Sequence, residues 1–186
     1  MNKTIWLTLS FFCSGLLLSV PLSALEDAEP DLGGGYIEGP AWEEGNVSIP
    51  AYPSADDLLK VDVDNANRPY TFYVDEKNLS VSDSGVVRYS VVIESDSGAR
   101  NVMFEGLNCA AGEYRTYAYG NSDGGFSEAR SSHWERINDE GVMAHRINFK
   151  RYYMCDQLNQ PYSVKEMLRR IRYPLDFNDG GPRSDW

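Results

Sequence analysis

The clearest pattern in the chain is an alternation of apolar and polar residues with the period of two that is typical of a half-buried strand. Residues 86–94 read VVRYSVVIE, which places Val87, Tyr89, Val91 and Ile93 on one side of the pleat. Asp-Ser-Gly sequences at 83–85 and 96–98 predict a turn at each end of this segment. We therefore expect a long strand between two tight turns.

Further short apolar segments predict additional strands on both sides of this one. Residues 101–109 and 114–119 follow it after short turns, so residues 86–119 predict an antiparallel meander. We also predict strands at residues 70–74, 79–81 and 145–155, the last reading HRINFKRYYMC.

The C-terminal region carries the period of an amphipathic helix. Ser163 and Glu166 have the spacing of a capping box. An apolar stripe at i, i+3, i+4 and i+7 follows, formed by Val164, Met167, Leu168 and Ile171. A second, short helix is predicted to begin at Ser54. The expected fold class is α+β, with a single antiparallel meander sheet and one C-terminal amphipathic helix packed on it.

The N-terminus predicts export. Lys3 precedes an almost unbroken apolar run over residues 5–22, and Ser23 and Ala24 end it with small side chains, as in a cleavable signal peptide over residues 1–24. An uncleaved membrane anchor is the alternative, because the run is long enough to span a bilayer. After cleavage we expect no transmembrane helix and a periplasmic location.

The predicted mature chain divides by composition into three parts. Residues 25–46 hold seven acidic residues, no basic ones and three consecutive glycines, which predicts a flexible acidic leader. Tyr36, Ile37 and Trp42 are the residues that could dock its end. Residues 47–175 then form a single globular domain, and residues 176–186 a flexible tail.

Cysteine use agrees with export. Cleavage removes Cys13 and leaves Cys109 and Cys155, an even number in an oxidising compartment, which favours a disulfide. Two buried free thiols are the alternative.

The charge of the chain disfavours polyanions as partners. The formal net charge is −11. It is also uneven, because residues 25–126 carry 19 acidic and 6 basic residues whereas residues 127–186 carry 9 and 10. Phosphate-backbone binding needs a basic surface, so we expect no nucleic-acid partner.

Several motifs together resemble one family. The stretch from Phe72 to Gly120 contains VVRY at 86–89, SDSGARNV at 95–102 and EGLNC at 105–109, and an aromatic-rich Cys follows at 152–155. This combination resembles the CNP1-like family of bacterial exported proteins. The resemblance implies a domain and a compartment, and it transfers no catalytic residues.

The residues offer no recognised catalytic or metal-binding pattern. His133 and His145 are the two histidines, and no G-x-S-x-G turn accompanies them. Residues 62–67 (DVDNAN) suggest calcium but lack the glycine and the closing Glu of a calcium loop. We therefore expect no cofactor, no metal and no catalytic residues.

Arg88 and Glu105 form the most suggestive polar pair. If the strands joined by the turn at 96–98 pair with these two residues in register, the side chains face one another, as a structural ion pair or as the floor of a pocket.

The sequence as a whole favours a non-enzymatic binding or cell-envelope interaction module. The candidate partners are an envelope protein or an envelope polymer. The alternative is an enzyme with an unrecognised site around Arg88, Glu105 and His133.

Overall fold

The computed structural model describes residues 42–63, 70–138 and 145–173. The predicted signal peptide, the leader up to residue 41, residues 64–67 of the calcium candidate and the C-terminal tail lie outside these residues. The chain divides after Pro40, and every described residue belongs to the unit that begins at Ala41. No helix in the described ranges is long and apolar enough to cross a membrane.

Within the described residues, eight strands form one antiparallel sheet. The order across the sheet is β1-β2-β4-β5-β6-β7, with β3 paired to β4 and β8 paired to β6. The strands are β1 (Leu58–Val61), β2 (Tyr70–Asp75), β3 (Ser80–Val81), β4 (Val86–Ser95), β5 (Arg100–Asn108), β6 (Glu113–Gly120), β7 (Phe126–Glu128) and β8 (Glu135–Arg136). The predicted meander is confirmed as β4, β5 and β6.

The side chains that were predicted to alternate along β4 form part of the main core. Val87, Tyr89, Val91 and Ile93 are all buried and belong to one apolar cluster on what we call the first face of the sheet. The short helix expected at Ser54 is a 3₁₀ helix, Ala55–Asp57, which leads into β1.

The prediction of a last strand over residues 145–155 is wrong. These residues form a short helix α1 (His145–Asn148) that continues as a π-helical segment, Phe149–Met154. His145, Phe149 and Tyr153 recur every four residues, and their rings pack edge to face at 5.1 and 6.5 Å between centroids. The same sequence also alternates with period two, so the pattern fitted both structures, and burial of the rings on the first face selected the helix.

The C-terminal helix is as predicted and is named α2 (Val164–Arg172). The Ser163 side chain accepts a hydrogen bond from the backbone N–H of Glu166 at 3.3 Å, which caps the helix. Met167 and Ile171 are buried in the main core, and Val164 and Leu168 pack at its edge. Two helical elements, rather than one, therefore cover the first face.

The second face of the sheet is covered by an extended segment, residues 42–52, which we call the strap. It contains neither helix nor strand. Val47 and Ile49 pack against a small apolar cluster of Phe104, Tyr117 and Ala118. The C-terminal end of the predicted flexible leader is thus part of the folded domain, and Trp42 docks there by donating its indole N–H to the Ser84 carbonyl at 3.2 Å.

A disulfide joins Cys109, just after β5, to Cys155, just after the π-helical segment. The two Cα atoms lie 5.7 Å apart, and both residues are buried in the main core. The bond therefore ties the helical layer on the first face to a central strand of the sheet.

Removing this disulfide should destabilise the domain by about 4 kcal/mol, because the bond closes a loop with a sequence separation of 46 residues. Urea unfolding of a Cys109→Ala/Cys155→Ala variant measures the loss. The reduced wild-type protein is the matched comparison and should show the same free energy of unfolding. A variant as stable as the oxidised protein would contradict a stabilising role.

Candidate functional site

The predicted pairing of Arg88 with Glu105 is wrong by one residue. In the β4–β5 ladder, Arg88 lies opposite Gly106, and Glu105 lies opposite Tyr89. The two strands are joined through a turn in which the Ser95 N–H donates to the Ala99 carbonyl at 2.9 Å, which sets the register. Because a shift of one residue reverses the direction of a side chain, Arg88 and Glu105 point to opposite faces of the sheet.

Glu105 lies on the first face, in the main core, with no exposed surface. Its carboxylate accepts hydrogen bonds from the Tyr89 hydroxyl at 2.9 Å and from the Thr116 hydroxyl at 3.2 Å. Arg146 of α1 donates to both carboxylate oxygens from Nε, at 3.2 and 3.1 Å, and also from Nη2. Arg146 in turn packs 3.7 Å from the centre of the Tyr114 ring.

The electrostatics of this buried cluster favour a fixed ion pair. Burial acts to raise the pKa of Glu105, but the charge and hydrogen bonds of Arg146 outweigh it and hold that pKa below its usual value. Burial also raises the pKa of Tyr89, so its phenol remains a donor. Every carboxylate oxygen is satisfied and none reaches solvent, so this cluster holds α1 on the sheet.

Arg88 lies on the second face, beneath the strap. Arg88 Nη2 donates to Glu44 Oε1 at 3.3 Å, and Arg115 Nη1 donates to Glu44 Oε2 at 3.3 Å. The Tyr117 hydroxyl also donates to Glu44 Oε1. The Glu44 side chain is only 6% exposed, whereas those of Arg88 and Arg115 are 15% and 32% exposed. We call these three donors, Arg88, Arg115 and Tyr117, the arginine pocket.

Gly106 shapes the base of the arginine pocket. A Cβ atom at this position would overlap the hydroxyl of Tyr117, so the missing side chain lets the phenol lie flat across β5. Burial, followed by the hydrogen bond to Glu44, raises the pKa of Tyr117 well above its usual value. The pocket therefore offers two cations and one permanent hydroxyl donor to a carboxylate.

His133 belongs to neither cluster and lies in an exposed row beside the arginine pocket, where its neighbour Ser132 accepts a hydrogen bond from Arg115 Nε at 2.9 Å. Its Nδ1 shares a hydrogen bond with the Ser131 hydroxyl at 3.2 Å, and its Nε2 lies 3.2 Å from Glu135 Oε1. Ser131, His133 and Glu135 thus follow the serine–histidine–acid order of a hydrolase triad, but the His133 side chain is 66% exposed. Catalytic triads work where water is excluded and an oxyanion is stabilised, and this row lies open to water. Arg88, Glu105 and His133 thus share no cleft.

In the part of the chain that the structure describes, no group of three or more His, Cys, Asp or Glu residues could hold a metal ion. His145, the second histidine, stacks on Phe72 at 5.1 Å between ring centroids and is buried in the main core.

Comparison with models of protein families gives a match that spans almost all of the described residues. The model of the CNP1-like family matches residues 37–172. The chain belongs to the CNP1-like family. No curated protein and no solved structure matches it.

Two of the motifs that suggested the CNP1-like family supply residues of the two clusters and of the disulfide. Arg88 of the VVRY motif enters the arginine pocket. In the EGLNC motif, Glu105 pairs with Arg146, Gly106 accommodates Tyr117, and Cys109 forms the disulfide. The single strand β5 therefore contributes to the clusters on both faces.

Among the cluster residues that sequence reasoning missed, four carry a charge or line the arginine pocket. Arg115, Tyr117 and Arg146 carried no motif, and Glu44 lay in a segment expected to be flexible. A signal for the first two existed, since both lie in the predicted third meander strand. Glu44 had no local signal, because only the fold brings the strap to the sheet.

Glu105→Gln should destabilise the domain by about 3–5 kcal/mol, because it leaves the buried Arg146 guanidinium without its counter-charge. Urea unfolding at pH 7 measures the effect. Glu94→Gln is the matched control, since Glu94 pairs with Arg100 on the surface, and it should cost less than about 1 kcal/mol. Equal losses in the two variants would contradict a buried ion pair.

The pH dependence of stability should also differ between wild type and Glu105→Gln. The folded pKa of Glu105 lies below the ordinary value of 4.5, so its contribution is complete above pH 4.5 and is lost as pH falls through the folded pKa. The free energy of unfolding, measured at steps below pH 5, should fall more steeply in wild type than in the variant. Parallel curves would show that Glu105 ionisation does not stabilise the fold.

Proposed function

We propose that the chain is an exported periplasmic protein that acts as a non-enzymatic binding or cell-envelope interaction module. The disulfide between Cys109 and Cys155 is the observation that carries the proposal, since disulfides form and persist in oxidising compartments. The apolar run and small residues at positions 1–24 support the same location.

The arginine pocket supports a binding role over a catalytic one. It lies close to solvent through Arg115 and presents fixed donors to a carboxylate. Trp42 and Trp134 pack edge to face at 5.7 Å between ring centroids, and Trp42 is 48% exposed. Exposed aromatic rings next to charged groups are common at protein interaction surfaces. The two arginines of this local basic site suit a partner segment that carries a carboxylate.

The alternative of an enzyme around Arg88, Glu105 and His133 loses its basis. Arg88 and Glu105 lie on opposite faces, and Glu105 is sealed in the core. His133 is on the surface with Glu135. No reacting molecule could contact all three.

Export is tested by expressing the complete chain in a bacterial host and separating periplasm from cytoplasm by osmotic shock. We expect the protein in the periplasm, with an intact mass that begins at Leu25 and no thiol reactive to alkylation in denaturant before reduction. A chain without residues 1–24 is the control and should stay in the cytoplasm with both thiols reactive. Cytoplasmic protein starting at Met1 with reactive thiols would overturn the proposal.

The binding role is tested by cross-linking the exported protein in envelope extracts. A partner that is recovered with wild type and lost with Arg88→Gln/Arg115→Gln would support it. Glu94→Gln/Arg100→Gln, which removes a surface ion pair elsewhere, is the control and should keep the partner. Recovery of the same proteins with all three baits would count against a partner at this pocket.

A further inference from the structure

The arginine pocket offers more binding capacity than Glu44 uses. Two guanidinium groups face one carboxylate, and the donor–acceptor distances of 3.3 Å exceed the 2.7–2.9 Å that is common for charge-assisted hydrogen bonds. Arg88 Nε is buried and has no hydrogen-bond partner among the described residues. Arg146, in contrast, engages Glu105 through both Nε and Nη2. Glu44 therefore leaves one buried donor of the pocket, Arg88 Nε, unused, although the Tyr117 hydroxyl and both arginines donate to its carboxylate.

The strap that carries Glu44 lies on the sheet without pairing to it as a strand. In the described part of the chain, no backbone-to-backbone hydrogen bond outside the helices and strands involves residues 42–53. Side-chain contacts hold the strap instead. They include the Glu44 ion pairs, the apolar contacts of Val47 and Ile49, and the Tyr52 ring on Phe126 at 5.4 Å between centroids. Three hydrogen bonds add to them: the Trp42 indole to the Ser84 carbonyl, the Ser84 hydroxyl to the Glu44 carbonyl at 2.9 Å, and the Asn78 amide to the Ala51 carbonyl at 3.1 Å. Segments without ladder hydrogen bonds open at lower free energy than the sheet beneath them.

The contacts of the strap define the features that an extended segment needs to fit the second face. The carboxylate of Glu44 enters the pocket, and the apolar side chains of Val47 and Ile49, three and five residues later, lie on Phe104 and Tyr117. An extended chain with one acidic residue followed by apolar residues at these spacings would make the same contacts. Charge complementarity to Arg88 and Arg115 selects a carboxylate over a neutral side chain.

We propose that the arginine pocket is a carboxylate-recognition site whose built-in occupant, Glu44, gives way to an acidic residue in an extended segment of a partner protein. The partner segment follows the pattern of the strap and replaces it on the second face. This inference rests on the proposed binding function and names its partner by chemistry. The strap then acts as an internal competitor, present at high effective concentration, that sets how tightly a partner must bind.

The first experiment tests whether the pocket accepts a carboxylate supplied from outside. Glu44→Ala, in the purified protein as recovered from cells, removes the occupant and should lower the Tm by about 4–8 °C. Sodium propionate at 100 mM should restore about 3–6 °C, for a Kd of about 10 mM. Propionamide, which has the same shape without the charge, and sodium chloride at equal ionic strength should restore nothing.

Glu43→Ala is the matched control variant, because Glu43 is the exposed neighbour of Glu44 on the same strap. It removes the same charge and leaves the pocket occupied. Its Tm should change by less than about 1 °C, with no response specific to propionate.

The second experiment tests the partner segment. A labelled peptide of residues 42–52 (WEEGNVSIPAY) should bind Glu44→Ala at least ten-fold more tightly than it binds wild type. The same peptide with Gln at the Glu44 position should lose at least ten-fold in affinity. If Glu44→Ala fails to fold, Glu44→Gln serves in its place, since it keeps the shape of the side chain and removes only the charge.

Three results would overturn the proposal. The first is no propionate rescue together with equal binding of the Glu and Gln peptides, which would leave Glu44 as a structural residue. The second is rescue by propionate without peptide binding, which would assign the pocket to free small carboxylates. The third is a concentration-dependent wild-type dimer that Glu44→Ala abolishes, which would assign it to a second copy. Export and thiol state test the location, and recovery of a partner with the wild-type bait tests the binding role, so failure of the carboxylate site is distinct from failure of the proposed function.

Discussion

Burial of the Glu105 carboxylate at the centre of the sheet is the constraint on which the rest of the fold depends. A carboxylate without exposed surface is tolerable only with a counter-charge and a full set of donors, and Arg146 supplies the charge. Arg146 lies on α1, far along the chain, so the ion pair fixes where this helix meets the sheet. The disulfide from Cys109 to Cys155 then holds the end of the same helical layer to the same strand. The strand β5 and the cysteine that follows it thereby anchor α1 and the π-helical segment on the first face.

The second face also pairs a carboxylate with arginine side chains, but the pair is more exposed and its carboxylate is carried by a segment outside the sheet. Glu44 also meets arginines, but the strap brings it there without strand pairing, and both arginine side chains keep some exposed surface. A partly exposed ion pair contributes less to stability than a sealed one, because solvent screens it. The first face is therefore built for stability. The second holds a polar site covered by a segment that the sheet does not need for its own hydrogen bonds.

The sequence predicted the elements whose pattern is local. The alternation along β4 gave a correct strand and a correct buried side, and Ser163 with the apolar stripe gave α2, because these signals need no knowledge of distant residues. The segment after His145 failed because its aromatic residues fit period two and period four alike. The register of Arg88 against Glu105 failed because the exact hydrogen bonding of one turn decides it, and an error of one residue moves a side chain through the sheet. Glu44 could not be predicted at all, since composition marks its segment as a flexible leader.

The two carboxylates together explain why we place the proposed binding function on the second face. At Glu105 each donor of the cluster is aimed at the carboxylate from rigid elements, so exchange of the acid for another group would require the core to open. At Glu44 the donors Arg88, Arg115 and Tyr117 are held by strands, while the acceptor is held by a segment that lies on the surface of the sheet. Folding of the sheet already holds the three donors in place. A carboxylate that binds there therefore does not have to supply the free energy of ordering them. A carboxylate that reaches the arginine pocket in an extended chain therefore competes with the strap, whereas at Glu105 it would compete with the core.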